Sequence, residues 1–369
     1  MRQRHAHAAG FTLVELMVSL VVALVVMAGA LRVFIGMRES FRLEDAMSRM
    51  QENGRYAAEA LATDARQAGF TGCITTINNL LNTGDDNYVP ALYDVTRPLT
   101  GFEFTGTAIG GTYAVTTLVP TGADTGDWAD DTGTALPDLL EDAVLPGTDV
   151  LMVKRADQRL LATTTGNTAQ NATTITMNVA VTSPLLNNAM VLVSDCVGAD
   201  LFQNRGANNS DTLSRATGGS PGNINPAGAG NDFSHPYLPG MDIYTYSATA
   251  YYIGTGASGE PSLFRRRFPT GGTGAVEELV EGVENFQVLF GEDTGADRVA
   301  DVYVEADNVT DWARVVSLKV GFLMRTPQDS RIDPDTATYN LLGTVIDPLN
   351  ERRVRRVLTW TVALRNRLS

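Results

Sequence analysis

The N-terminal 35 residues constrain this chain more than any other stretch. An apolar run extends from Phe11 to Ile35, and Glu15 and Arg32 are its only charged residues. A run of about 25 residues is long enough for one membrane-spanning helix. A carboxylate inside such a helix costs roughly 2.5–3.5 kcal/mol on insertion scales. The sequence therefore predicts that Glu15 finds a positively charged partner on a neighbouring chain, since Arg32 lies too far along the helix.

An ordinary secretory signal is the alternative interpretation of the same residues. A basic leader, an apolar core and the small residues Ala28-Gly29-Ala30 would then give a mature chain that starts at Leu31. Two features argue against it. Apolar cores of such signals avoid carboxylates such as Glu15, and they usually span 7–15 residues.

The stretch Gly10-Phe11-Thr12-Leu13-Val14-Glu15-Leu16 closely resembles the class III signal of type IV pilins and secretion pseudopilins. The resemblance implies that a prepilin peptidase cleaves after Gly10 and N-methylates the new terminus at Phe11. It also implies that Glu15 neutralises the terminal amine of an adjacent subunit during assembly. A free α-amino group on a neighbour's Phe11 would match Glu15 in charge and in depth.

Charge predicts the orientation of the chain. Arg2 and Arg4 precede the apolar run, whereas acidic residues predominate beyond it. Because positive residues stay on the cytoplasmic side, we expect a single-pass inner-membrane protein with a cytoplasmic N-terminus and a periplasmic domain. The resemblance places that domain outside the cell once the pilus is assembled. The formal net charge of −14 argues against nucleic acid as a partner.

Cys73 and Cys196 are the only cysteines. In an oxidising periplasm an even pair of this kind predicts a disulfide. Two buried free thiols are the alternative.

A second pattern follows the apolar run. Apolar residues recur near helical spacing: Met37, Phe41, Met47, Met50, Ala57, Leu61 and Ala65. We expect one continuous helix from about Phe11 to Ala68, with Gly69 as its C-cap. Gly54 weakens the helix locally by about 1 kcal/mol relative to Ala.

Beyond Cys73 the pattern indicates short strands. The candidate strands are Thr112–Val119, Asp149–Lys154, Thr173–Thr182, Met190–Cys196, Ile243–Ile253, Val283–Phe290, Arg314–Arg325 and Val354–Arg365. The last two alternate well, which predicts an antiparallel sheet with one covered face and the long helix as its cover. The fold class is therefore α+β. The predicted organisation is a leader at 1–10, a transmembrane helix at 11–35, its amphipathic continuation at 36–70 and a β-rich domain at 71–369.

Further segments resemble PilW-type minor pilins. They are Gln51–Ala57, Asp64–Cys73, Leu192–Cys196, Ala199–Phe202, Arg352–Arg356 and Val362–Arg367. The resemblance implies a low-abundance subunit that helps to prime type IV pilus assembly and lies in or near the pilus tip. It implies as partners other minor pilins, the major pilin, a PilY-type tip adhesin, the prepilin peptidase and the inner-membrane assembly platform. A minor pseudopilin of type II secretion and a membrane-anchored adhesin are the alternatives.

No catalytic residue is predicted. His235 is the only histidine beyond the leader and precedes Pro236 in a polar loop, so we expect a surface or packing role. One histidine and two cysteines cannot supply a zinc site. No cofactor is expected. Calcium is a candidate ligand for two acidic loops: Asp124, Asp127, Asp130 and Asp131, and Glu292, Asp293, Asp297 and Asp301.

Two basic clusters and one long loop are further features of the sequence. The clusters are Arg265–Arg267 and the run Arg352, Arg353, Arg355 and Arg356. Binding of acidic neighbours and protection of a sheet edge explain them equally well. The loop from Gly206 to Pro239 has almost no apolar pattern, and a loop of that length is usually functional or mobile.

Overall fold

A computed structural model describes residues 12–120, 123–160, 163–164, 166–178, 186–208, 210–268, 274–331 and 333–364. The chain divides into two compact units. One ends at Arg49 and, apart from Thr12, contains only helix among its described residues. The other begins at Met50 and contains the sheets.

One long helix, α1, spans Leu13–Arg66. Its first part is apolar on every side. Its last part is amphipathic, with Met50, Ala57, Leu61 and Ala65 buried. The helix ends in a tight turn in which the N–H of Ala68 donates to the carbonyl of Ala65. Gly69 follows with a positive φ of 71°, as a C-terminal glycine should.

The remaining elements are mostly strands. The first nine are β1 (Asn78–Asn79), β2 (Leu99–Phe104), β3 (Thr112–Ala114), β4 (Trp128–Ala129), β5 (Val150–Leu160), β6 (Thr163–Thr164), β7 (Thr174–Asn178), β8 (Met190–Ser194) and β9 (Ala199–Gln203). The others are β10 (Thr212–Ser214), β11 (Asp242–Thr255), β12 (Pro261–Phe268), β13 (Ala275–Glu281), β14 (Val283–Glu292), β15 (Val302–Val304), β16 (Val315–Arg325), β17 (Tyr339–Leu341), β18 (Thr344–Asp347) and β19 (Arg355–Ala363). Short helical turns occur at Pro90–Tyr93, Thr125–Asp127, Asp138–Leu140, Ala306–Asn308 and Trp312–Arg314.

Among the described residues the strands form four sheets. The largest has nine strands in the order β1-β9-β8-β11-β5-β2-β4, with β12 pairing β11 and β13 pairing β12. A four-stranded sheet runs β15-β14-β16-β19, and two three-stranded sheets run β10-β7-β6 and β17-β18-β3. Pairing is antiparallel except for β1 with β9 and β18 with β3. The α+β prediction is confirmed.

The main core lies where the end of α1 meets the sheets. Ala57, Leu61 and Ala65 of α1 are fully buried there. They share one cluster with residues of β5, β11, β12, β14, β16 and β19. This cluster explains the alternation predicted for the last two long strands. It contains the even-numbered residues of β16, except Val316. It also contains the face of β19 that carries Leu358, Trp360 and Val362.

The prediction of a single covered face was wrong for β16. Leu323 lies on the opposite face of that strand and is fully buried against Leu341 and Ile346. Leu341 and Ile346 belong to the small sheet β17-β18-β3, whose strands come from two distant parts of the sequence. Strands of three or four residues show too little alternation to be recognised in the sequence.

The segment from Gly206 to Pro239 is more ordered than its composition suggests. Asn223 is buried and bonds the backbone of Gln203 in both directions, at 2.7 Å each. Arg215 is also buried and donates to the carbonyls of Ala172 and Asn231. Polar side chains hold this segment where an apolar pattern is lacking.

Candidate functional site

The first turn of α1 holds the acidic residue of the pilin-like motif. The Glu15 carboxylate accepts hydrogen bonds from the backbone N–H of Thr12 at 3.0 Å and from its hydroxyl at 2.9 Å. The N–H of Glu15 in turn donates to the Thr12 hydroxyl at 3.3 Å. This reciprocal pattern is a capping box. Glu15 therefore has local donors, which the sequence prediction overlooked, although it has no positive partner among the described residues.

An uninterrupted apolar surface follows this cap. In the described part of the chain, α1 is the one helix long and apolar enough to cross a membrane. Large apolar side chains such as Leu16, Val25 and Phe34 are more than half exposed. Apolar surface on this scale has to be covered by lipid or by other helices. Gly10 and Phe11, the predicted cleavage and methylation positions, lie outside the described residues.

Buried polar groups fix the end of α1 to the sheets. Asp64 accepts from Arg155 Nη2 at 3.0 Å and from the Tyr251 hydroxyl at 2.5 Å, and Arg265 Nη1 lies 3.7 Å away. Burial, and then the negative charge of Asp64, raise the pKa of Tyr251. Asp64 is only 3% exposed, so this attachment replaces the water it would otherwise bind.

Gly54 allows a close approach between α1 and β19. A Cβ atom at this position would lie 2.3 Å from Leu358 Cδ1 and 3.4 Å from Trp360. The glycine that weakens the helix is therefore the residue over which the last strand packs. Gly54 and β19 both belong to the unit that begins at Met50.

A disulfide joins Cys73, just after α1, to Cys196, just after β8. The two residues are 123 positions apart in the sequence. The bond therefore connects the turn that ends the helix with the edge region of the largest sheet.

His235 contacts Asp195, the residue before Cys196. Its Nε2 lies 3.0 Å from Asp195 Oδ2, and its Nδ1 lies 3.1 Å from Ser234 Oγ. The Ser234 hydroxyl donates to Asp200 at 2.7 Å, so its proton points away from the imidazole. Burial alone would raise the pKa of Asp195, but hydrogen bonds from His235 and from the N–H groups of Val197 and Gly198 lower it. The arrangement holds the loop around His235 against the turn after β8.

The acidic loops use their carboxylates within the chain. Asp131 pairs with Arg97 at 2.8 Å and accepts from Trp312 Nε1 at 2.8 Å. Asp301 accepts from Thr294 and Gly295 at 2.8 Å. No group of three or more histidine, cysteine or carboxylate side chains in the described ranges could hold a metal ion. Calcium binding by these loops stays a prediction.

Arg353 and Arg355, the two inner residues of the C-terminal basic run, neither bind a neighbouring protein nor protect a sheet edge in this structure, because both pair within the chain. Arg355 is fully buried and makes a two-pronged contact with Glu284, at 2.5 and 3.0 Å. Arg353 bonds Glu260 at 2.9 Å. These guanidinium groups neutralise carboxylates of the same chain. Only Arg352 and Arg356 of this run are exposed.

Glu103 of β2 and Asp149, which directly precedes β5, form a buried acidic pair. Burial raises the pKa of Glu103 to about 7, and the charges of Glu305 and Asp307 add to the shift. Burial and the neighbouring Glu103 raise the pKa of Asp149 as well. One Asp149 oxygen has no hydrogen-bond partner, which a proton shared with Glu103 would satisfy.

Sequence reasoning missed Thr12 and Asp64. A threonine three residues before a glutamate at the start of an apolar run is the sequence signature of a capping box. Asp64 lies three residues after Leu61 and so falls on the apolar face of α1, where a carboxylate requires a buried partner. Both signals are present in the sequence.

Comparisons with known proteins identify two parts of the chain. Residues 5–31 match the prokaryotic N-terminal methylation motif, which contains the capping box and the start of the apolar helix. Residues 250–366 match the family described as type IV pilus-assembly protein W, which covers the strands from the end of β11 to β19. No curated protein and no solved structure shows a significant match. Together with one long apolar N-terminal helix followed by a mostly antiparallel β domain, these two matches support a PilW-type type IV pilin.

Proposed function

We propose that this minor pilin helps to prime type IV pilus assembly and is incorporated in or near the pilus tip. It acts by associating with other subunits. The observation that carries the proposal is the first turn of α1, where Glu15 lies at the start of an exposed apolar stretch of helix. A neighbouring pilin helix with a free terminal amine brings both an apolar surface and a positive charge to that position.

The proposal includes a maturation step. The prepilin peptidase would cut after Gly10 and methylate the new terminus at Phe11. Cleavage leaves Thr12 and its capping box with Glu15 in the mature chain. The carboxylate would thus be oriented by its own chain and neutralised by the terminal amine of a neighbour.

The proposed partners follow from this role. They are other minor pilins, the major pilin, a PilY-type tip adhesin, the prepilin peptidase and the inner-membrane assembly platform. Before assembly the N-terminus would be cytoplasmic and the domain periplasmic; after assembly the domain would be extracellular. The match to a pilus-assembly family favours the pilus over a secretion system.

Two substitutions separate the charge of Glu15 from its capping role. Glu15→Ala removes both. Glu15→Gln removes the charge but keeps an oxygen that can accept from Thr12. Glu39→Gln, on an exposed helical position beyond the predicted membrane span, is the matched control. We expect both Glu15 variants to be cleaved and folded normally.

Association distinguishes the variants. Recovery of other pilus subunits with the tagged, membrane-extracted protein, together with a count of surface pili, should fall for Glu15→Ala and Glu15→Gln and stay unchanged for Glu39→Gln. Full function of Glu15→Gln would show that the residue acts as a cap. Full function of Glu15→Ala would remove the proposed role of Glu15 altogether.

A further inference from the structure

The last strand, β19, forms the edge of the four-stranded sheet. Within the described residues its strand partner is β16, and the order of the sheet leaves its other side open. The pairing runs without a register shift from Ser317 opposite Ala363 to Arg325 opposite Arg355. The edge therefore contains no bulge over the whole length of the strand.

The register shows which backbone groups point outward. The N–H of Leu364 donates to the carbonyl of Val316 at 2.9 Å, so the even-numbered residues of β19 turn their backbone groups toward β16. The odd-numbered residues turn theirs to the open side. These residues are Val357, Thr359, Thr361 and Ala363. In the described chain no backbone hydrogen bond joins them to any element other than β16.

This edge lacks the usual protection against pairing. From Val357 to Ala363 it contains no charged residue, no proline, no glycine and no bulge. The β13 edge differs: it carries Glu277, Glu278 and Glu281, and its pairing with β12 contains a register shift. Natural proteins protect long edges with charges and bulges of this kind. An edge without them is expected to have a partner.

We propose that β19 is a docking edge for one extended segment of another pilus subunit, which adds to the sheet as a further strand. The proposal rests on the proposed function, since it assigns one surface to subunit association. Outward N–H and C=O groups at two-residue spacing are complementary to the backbone of a strand. Thr359 and Thr361 are exposed β-branched residues that suit cross-strand contacts.

Charge favours a different subunit over a second copy of this chain. Arg356 is exposed at one end of the edge and forms no ion pair among the described residues. A segment with a carboxylate at the corresponding end would pair with it. A second copy of this chain would carry the same net charge of −14, and two chains of that charge repel each other.

Thr361→Pro tests the edge with little effect on the fold. Proline removes the outward N–H, and an edge position facing solvent tolerates it. Thr361→Val is the matched control, because it keeps the N–H and the β-branched shape. Both full-length proteins are extracted from membranes of the native host. The Cys73–Cys196 bond and the thermal unfolding transition check that they are folded.

We expect recovery of one pilus subunit to fall about tenfold or more for Thr361→Pro and to stay at the wild-type level for Thr361→Val. Equal recovery with folded Thr361→Pro would overturn the docking edge. If the wild-type chain itself recovers no pilus subunit, the result contradicts the proposed function, and the docking edge fails with it.

Photocross-linking gives a readout that does not depend on proline. With p-benzoyl-phenylalanine in place of Thr359, the expected product is a cross-link to an extended segment of a different pilus subunit. The same group in place of Val276, exposed on the β13 edge, should give at least tenfold less of that product. A cross-link only to a second copy of this chain, or equal yields from both edges, would overturn the proposal.

Discussion

Asp64 of α1 and Arg155 of β5 form a buried ion pair, with 3.0 Å between carboxylate and guanidinium. The two side chains are 5% and 10% exposed, and the Tyr251 hydroxyl shares the same carboxylate. One polar contact thus attaches the end of the long helix to the centre of the largest sheet.

Asp64→Asn should lower the free energy of unfolding of the domain by about 2 kcal/mol, because it removes the buried carboxylate that pairs with Arg155 and leaves Asp157 as the remaining counter-charge of that guanidinium. Asp45→Asn is the control on the same helix. Asp45 pairs with Arg49 at 3.1 Å, but both are more than half exposed, so a change below about 0.5 kcal/mol is expected. Denaturant unfolding measures both; equal effects would show that the Asp64 pair does not stabilise the attachment.

Gly54→Ala should destabilise the domain by about 1 kcal/mol, although alanine favours a helix. The new methyl group would collide with Leu358 Cδ1. A double-mutant cycle with Leu358→Ala checks the cause, since removing that side chain should relieve most of the added cost. Additive effects of the two substitutions would mean that the contact is not responsible.

Stability should decrease as pH rises from about 4.5 to about 7. The folded state raises the pKa of Glu103 to about 7 from an ordinary value of 4.5, so it binds a proton more tightly than the unfolded chain throughout that window. Deprotonation then places a charge beside Asp149, Glu305 and Asp307.

The expected loss is on the order of 1–3 kcal/mol. Glu103→Gln should reduce this pH dependence, whereas Glu141→Gln, at an exposed position, should leave it unchanged. Thermal unfolding at pH 5 and pH 7 compares the variants. A wild-type protein that becomes more stable over this range would contradict the assignment.

Removing the disulfide by Cys73→Ser together with Cys196→Ser should destabilise the domain by about 2–4 kcal/mol. The bond closes a loop with a sequence separation of 123 residues, which mainly restricts the unfolded chain. Unfolding of the oxidised wild type, the reduced wild type and the double variant separates loss of the bond from the effect of serine. A variant as stable as the oxidised protein would refute the expectation.

The features predicted from the sequence are those with a strong local period. The apolar run and the alternation in β16 and β19 gave the fold class. The family came from the resemblance of motifs such as Gly10–Leu16. Strand ends were less accurate. The strand expected at Thr112–Val119 stops at Ala114, because a short parallel pairing with β18 determines where it ends.

The features that could not be predicted depend on contacts between residues that are far apart in the sequence. The arginines of β12 and β19 were interpreted as clusters that bind acidic neighbours or protect a sheet edge. In the structure Arg265 lies 3.7 Å from Asp64, and Arg355 pairs with Glu284, and both carboxylates are far away in the sequence. The segment Pro261–Phe268, which forms β12, was not among the predicted strands. Buried ion pairs of this kind depend on which strands become neighbours, and no local pattern contains that information.

The central claim is that this chain is a pilin processed for assembly, and the N-terminus of the mature protein tests it most directly. Mass spectrometry of the membrane-extracted protein should show a chain that begins at Phe11 and carries one N-methyl group. A mature chain that begins at Leu31, or one that keeps the leader, would contradict the account.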